Sequence, residues 1–183
     1  SLLNLDNHSA NWYAYESSFY AHSGSFLARV SYRSLSAVPQ NQPSDDWLIT
    51  PKLDVVSGDS ISFWARSSNS NPYESFNVRV SSTNADSAAG FTDTLASVAT
   101  VPTTWTRDAY ALESYAGQDI YIAVQHNTYN GWYLYVDDFS GPQVWIDDSP
   151  VIALNKNSIN YGNTGLGGIS ESVVIENFGA SDL

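Results

Sequence analysis

From Phe26 onward apolar and polar residues alternate with a period of two, the mark of half-buried strands. In Ser60-Ile61-Ser62-Phe63-Trp64-Ala65-Arg66 the residues Ile61, Phe63 and Ala65 share one face, and Phe76, Val78 and Val80 repeat the pattern. The stretches 105–112, 118–126 and 132–139 are also strand-length, rich in aromatics and bounded by Gly, Pro, Asn or Asp. Nowhere does a 3.6-residue apolar period persist beyond a capping box, and 84–97 (NADSAAGFTDTLAS) predicts at most a helical turn or two. Strands of this length with intervening turns predict an all-β fold, a jelly-roll β-sandwich closing one core between two inner faces.

The pattern changes near Gly141-Pro142, and Ile146-Asp147-Asp148-Ser149-Pro150 reads as a hinge. The predicted organisation is a jelly-roll domain over 1–143, a linker over 144–150 and a second, incomplete module over 151–183. In the last of these, Ser170 to Phe178 alternates as a strand, but so short a segment cannot bury a core of its own.

Composition narrows the partners. Nineteen acidic residues against seven basic ones give a formal net charge of −12, which repels phosphate backbones and anionic bilayers, so nucleic acid is excluded as a partner. Hard divalent cations suit such a surface, since carboxylates and amide carbonyls are the oxygens Ca²⁺ prefers. Aromatics make up 14% of the chain, with 12 Tyr and 6 Trp, a bias that favours pleated surfaces. There is no cysteine, and no apolar run approaches the roughly 20 residues of a bilayer-spanning helix, so no membrane insertion is expected. The absence of methionine leads us to expect a piece of a longer protein.

Six blocks carry a resemblance: Asp45-Asp46-Trp47-Leu48-Ile49-Thr50-Pro51-Lys52-Leu53, Ser62-Phe63-Trp64-Ala65, Val80-Ser81-Ser82-Thr83, Pro102 with Trp105, Tyr115-Ala116-Gly117-Gln118-Asp119-Ile120-Tyr121-Ile122-Ala123, and Tyr133-Leu134-Tyr135-Val136-Asp137-Asp138-Phe139. In this order the chain resembles the choice-of-anchor J and cleaved-adhesin modules, MAM-like jelly rolls found in gingipain adhesin regions. The opening departs from that pattern, with Asn4-Leu5-Asp6-Asn7-His8 ahead of Trp12. The tail, from Ile152-Ala153-Leu154 through Ile159-Asn160-Tyr161-Gly162 to Val174-Ile175-Glu176-Asn177-Phe178-Gly179, resembles the first half of an immunoglobulin-like module of the ASPM, SPD-2 and hydin type. Cut at Leu183, such a module would leave exposed C-terminal strands able to pair with another chain.

Three acidic or polar stretches could converge on one cation: Asn4-Leu5-Asp6, the His22-Ser23-Gly24-Ser25 turn with Asp45-Asp46 beyond it, and Asp137-Asp138. The resemblance implies a structural calcium held by Asp6, Ser23, Asp45 and Asp138, with Asp46 and Asp137 as neighbouring candidates. The competing reading is that paired aspartates only terminate strands and cap turns.

A second candidate site is aromatic. Trp132 with Tyr129, and Tyr73 beside Pro72, could form a platform for a sugar ring, with Asn127, Asn130 and Gln125 supplying hydrogen bonds. Against this, Trp132 and Tyr133 could simply begin the last core strand. His126 follows an apolar strand and reads as a hydrogen-bonded core histidine, while His8 and His22 stand alone. No HExxH, nucleophile elbow or phosphate loop is present. Counting cannot exclude a glycosidase carboxylate pair, but the acids fall mostly in turns. Asn7-His8-Ser9 fits a glycosylation sequon, which the bacterial origin implied by the resemblance leaves idle.

The function expected is therefore a non-catalytic, calcium-stabilised adhesion or recognition module of a large exported bacterial protein, secreted or at the cell surface, binding an extracellular glycan or protein. Two alternatives stay open: a carbohydrate-binding module of a polysaccharide-degrading enzyme, and a spacer with no ligand.

Overall fold

The computed structural model describes residues 1–6, 9–32, 42–71, 73–145, 152–154 and 175–177. Outside these lie the sequon residues Asn7 and His8, Pro72, the 146–150 hinge and most of the tail motif. Among the described residues no helix is long and apolar enough to cross a membrane.

The chain divides into two compact units, Ser1–Trp145 and Ile146–Leu183. The first holds β1 (Leu2–Asn4), β2 (Tyr13–Glu16), β3 (Phe26–Ser31), β4 (Asp46–Ile49), β5 (Leu53–Asp54), β6 (Ser60–Ser67), β7 (Phe76–Ser81), β8 (Asp93–Val98), β9 (Thr106–Ala111), β10 (Asp119–His126), β11 (Tyr133–Ser140) and β12 (Gln143–Val144). The second contains β13 (Ile152–Leu154) paired antiparallel with β14 (Ile175–Asn177), with Ile152 opposite Asn177.

Two antiparallel sheets make the first unit an all-β sandwich, as the alternation predicts. One has five strands in the order β2-β3-β11-β6-β9. The other has seven, built around β10, which pairs with β4, β5 and β7; β1, β8 and β12 extend it. The core lies between their inner faces, because in β6, β7, β10 and β11 alternate residues are apolar and point inward. Ile61, Phe63 and Ala65 of β6, Phe76, Val78 and Val80 of β7, Ile120, Ile122 and Val124 of β10, and Leu134 and Val136 of β11 are all buried there. Each large side chain so buried contributes about 1.5–3 kcal/mol of transfer free energy.

A smaller cluster, Trp47, Ile49, Phe91 and Ala123, sits apart from this core. The 84–97 stretch holds no more than the short helical turn the sequence allows. Only Ala88–Gly90 forms a 3-10 turn, capped by Ser87, and Asp93–Val98 is strand β8. The turn serves to bring Phe91 against Trp47, with ring centroids 5.3 Å apart, and Arg79 donates from Nη2 to the Phe91 carbonyl at 2.6 Å.

Candidate functional site: an aromatic and arginine face

On the five-stranded sheet, the residues that alternate away from the core are not ordinary solvent-facing polars. The register sets Tyr13 of β2 opposite Arg29 of β3, Arg29 opposite Tyr135 of β11, and Tyr135 opposite Arg66 of β6. Thr106 of β9 opposes Ala65, so Trp105 lies opposite Arg66. One row, Tyr13–Arg29–Tyr135–Arg66–Trp105, thus crosses the whole sheet and alternates aromatic ring with guanidinium.

The row is packed in detail. The Arg29 guanidinium lies 3.9 Å from the Tyr15 ring centre, 4.3 Å from Tyr133 and 5.0 Å from Tyr13. That of Arg66 lies 4.6 Å from Tyr135, 5.2 Å from Trp105 and 5.6 Å from Tyr20. Tyr20 stacks on Tyr135 at 5.6 Å and 15°, leaving Tyr135 only 3% exposed; that burial raises the pKa of its phenol despite both arginines. Phe19 stands 85% exposed with its ring edge-on to Tyr20 at 5.0 Å. Beside the row, Tyr20, Arg66, Ser68, Asn69, Trp132 and Tyr135 line a recess of about 330 Å³ with Tyr133. Cation–π contacts of this kind fix a long, flexible side chain in one place while its fork of donors stays available.

Trp132 is held at the rim by an ionic cluster beneath it. Its backbone N–H donates to Glu74 Oε1, and any side chain at Gly131 would run into that carboxylate. The other oxygen of Glu74 lies 2.8 Å from His126 Nε2, and Asp46 Oδ2 lies 4.0 Å from His126 Nδ1. Glu74, His126 and Asp46 are each 0% exposed. Burial alone would lower the His126 pKa, but the hydrogen bonds and charges of Asp46 and Glu74 outweigh it and raise it.

Ser44 Oγ is 3.0 Å from His126 Nδ1, which brings Ser, His and Glu into line, yet the hydroxyl donates its only proton to the Thr128 carbonyl at 3.1 Å. The serine therefore accepts from an imidazolium N–H. A nucleophilic serine would have to give its proton to the ring, and this one is also only 1% exposed. The cluster is structural, as the sequence reading of His126 anticipates.

The six residues considered for calcium fall into separate places. Asp45 Oδ1 accepts from Trp47 Nε1 at 2.6 Å and Gln125 Nε2 at 2.7 Å, while Asp6 Oδ2 accepts from the Asp45 N–H at 3.0 Å. Asp46, the next residue along, turns instead toward His126, since successive strand residues face opposite ways. It shares the His126 imidazole with Glu74 and lies apart from the other five residues.

Ser23, Asp137 and Asp138 meet on the other sheet, where β11 breaks register after Asp137 and Asp138 takes a φ of +48°. Asp137 Oδ2 accepts from the N–H groups of His22 (2.8 Å) and Ser23 (3.3 Å), and its Oδ1 accepts from the Asp138 N–H at 2.8 Å. Asp138 receives Ser23 Oγ at 2.6 Å and pairs with His22 Nδ1 at 2.6 Å, contacts that lower its pKa. About four lone-pair sites per carboxylate leave oxygen capacity at this corner, so it fits a hard cation. Among the described residues, no group of three or more His, Asp or Glu side chains is gathered in metal-holding geometry, so backbone carbonyls or water would have to complete the shell.

A family model, the Cleaved Adhesin Domain, matches residues 2–140. The chain belongs to that family. It is a family of non-catalytic adhesin domains, which also occur within larger enzymes, as in Lys-gingipain. Among solved structures, the K1 cleaved adhesin domain of Lys-gingipain from Porphyromonas gingivalis W83 is similar at 22% identity and a TM-score of 0.63, covering 76% of this chain and 87% of that one. The K3 domain from the same strain gives 22% identity and 0.63, over 78% and 91% of the two chains. A structure described as one of carbohydrate-binding modules from the β-sandwich superfamily gives 14% identity and 0.51, over 78% and 56%. These likenesses establish the sandwich fold. No curated protein sequence matches the chain.

In this cleaved adhesin domain the aromatic residues proposed from sequence are scattered. Trp132, 58% exposed, joins the recess, whereas Tyr129, Asn127, Asn130 and Tyr73 are not among its lining residues. Sequence reasoning missed Tyr13, Tyr15, Tyr20, Arg29, Arg66 and Trp105. A signal was there, since Trp64 and Arg66 alternate with core positions, but only the register between distant strands shows that Arg29, Tyr135 and Arg66 adjoin.

Proposed function

We propose that this cleaved adhesin domain is a recognition module of an exported bacterial protein and binds an extracellular glycan on the outer face of its five-stranded sheet. The observation that carries the proposal is the Tyr13–Arg29–Tyr135–Arg66–Trp105 row with the recess beside it. Flat rings offer sugars a large contact area at low entropic cost, and the guanidinium forks and the Asn69 amide supply directional hydrogen bonds. The similarity in fold to carbohydrate-binding β-sandwich modules supports this choice over a protein ligand. A glycan array tests it: the chain should bind a defined subset of saccharides, and Trp132→Ala, which strips the rim of the recess without touching the core, should abolish or sharply weaken that binding. Uniform failure to bind would leave the spacer reading.

We further propose that calcium ties the β11 bulge to the His22-Ser23 turn through Asp137, Asp138 and Ser23. A cation bound only by the folded state raises apparent stability by mass action. Adding EDTA should therefore lower the melting temperature, and Asp138→Asn should remove the response. A melting curve indifferent to EDTA would sink the calcium proposal and leave the glycan proposal standing.

A further inference from the structure

We propose that the row selects an acidic oligosaccharide carrying a carboxylate on about every second sugar; this rests on the glycan reading of the same face. The chain carries seven basic residues against nineteen acidic ones, so carboxylates are abundant. Lys52 pairs with one, Asp119, at 2.7 Å. Among the described residues none of Arg29, Arg66, Arg79 and Arg107 forms an ion pair. Arg79 and Arg107 donate instead to the Phe91 carbonyl at 2.6 Å and to Ser62 Oγ at 2.9 Å. Arg29 and Arg66, by contrast, are held among tyrosine and tryptophan rings, Arg29 with hydrogen bonds to Tyr13 and Tyr135 and Arg66 with one long hydrogen bond from Nη2 to the Tyr20 carbonyl at 3.4 Å.

The acids within one register step, Asp137 and Asp138, are engaged by His22 and Ser23. In a strongly acidic protein two such guanidiniums on one face form a local positive site, and a planar fork matches a carboxylate bidentately.

The spacing adds the repeat. Arg29 on β3 and Arg66 on β6 are separated by β11, so with strands about 4.8 Å apart their backbones lie roughly 10 Å apart across the sheet. That is close to the length of a disaccharide. Tyr20, stacked over the buried Tyr135 between them, would face the intervening, neutral sugar, and Tyr13 and Trp105 would face the units beyond. A line of ring faces and guanidiniums, with Tyr20 over its centre, suits sugar rings laid along it. An acidic peptide would more naturally add to an open strand edge through main-chain hydrogen bonds.

The test is calorimetric titration of the 183-residue chain with four probes: a hexasaccharide alternating glucuronate and N-acetylglucosamine, a neutral N-acetylglucosamine hexamer, a sulfated neutral polysaccharide and poly-glutamate. The alternating acid should bind at least about tenfold more tightly than each of the others, and Arg29→Gln and Arg66→Gln should each erase roughly tenfold or more of that affinity. Arg29→Lys and Arg66→Lys, which keep the charge and lose the fork, should not restore it. These variants also carry the test if a Gln variant fails to fold, as judged by its melting curve. Equal binding of acidic and neutral hexamers would overturn the inference and leave the glycan reading intact. Equal binding of the sulfated polymer or poly-glutamate would overturn it as mere charge attraction. Failure of every saccharide, here and on the array, would overturn both.

Discussion

His126 shows how one side chain can tie the core to the surface. Its imidazolium lies between Glu74 and Asp46 with no water access, and Glu74 in turn holds the backbone of Trp132 at the recess rim. Removing one member of a buried ionic set leaves uncompensated charge, so His126→Gln should cost about 3–5 kcal/mol. The sign of the pH dependence follows from the raised pKa. The folded chain holds this proton more tightly than the unfolded chain does, so the stabilisation is complete below the unfolded value of about 6.5 and is lost as pH rises through the folded value. Urea midpoints of the wild type should therefore fall relative to those of His126→Gln as pH is raised above neutrality. A difference between the two that stays constant with pH would show that His126 is not the titrating group.

At the scale of the element, what sequence could reveal depended on whether the information was local. Strands β6, β7, β10 and β11 were legible because each carries its own alternation of large apolar residues over six to eight positions. Strands β1, β5 and β12, only two or three residues long, have no room for a period; they exist because longer neighbours pair with them. Strand β8 was obscured because DTLASV pairs small and polar residues whose faces are told apart only by the neighbouring β7. The same limit governed the site. Asp45 and Asp46 look like one acidic pair in sequence, but strand alternation sends one to Trp47 and Gln125 and the other to His126. Conversely, Tyr13, Arg29, Tyr135, Arg66 and Trp105 are scattered over more than 120 residues and become one row only when five strands find their register. Trp132 was the exception, since an exposed tryptophan just before a core strand is visible locally.

At the scale of the whole molecule, the two sheets have different surfaces. The seven-stranded sheet covers Trp47, Ile49 and Ala123 with the loop bearing Phe91, and so closes that side with its own chain. The five-stranded sheet buries Tyr135 under Tyr20 but leaves Arg29, Arg66, Tyr20, Trp105 and Tyr133 half-exposed, with Phe19 and Trp132 standing exposed at their margin. A sandwich that needed only to space its neighbours would gain nothing from holding two arginines among tyrosines rather than against its many carboxylates. The most direct test of this account is to map, by backbone and side-chain chemical shifts, where the strongest saccharide from the array contacts the domain. The account predicts that the largest perturbations fall on Tyr13, Arg29, Arg66, Trp105, Trp132 and Tyr133, with little change around Trp47 and Phe91. Perturbations centred on the seven-stranded sheet would contradict it.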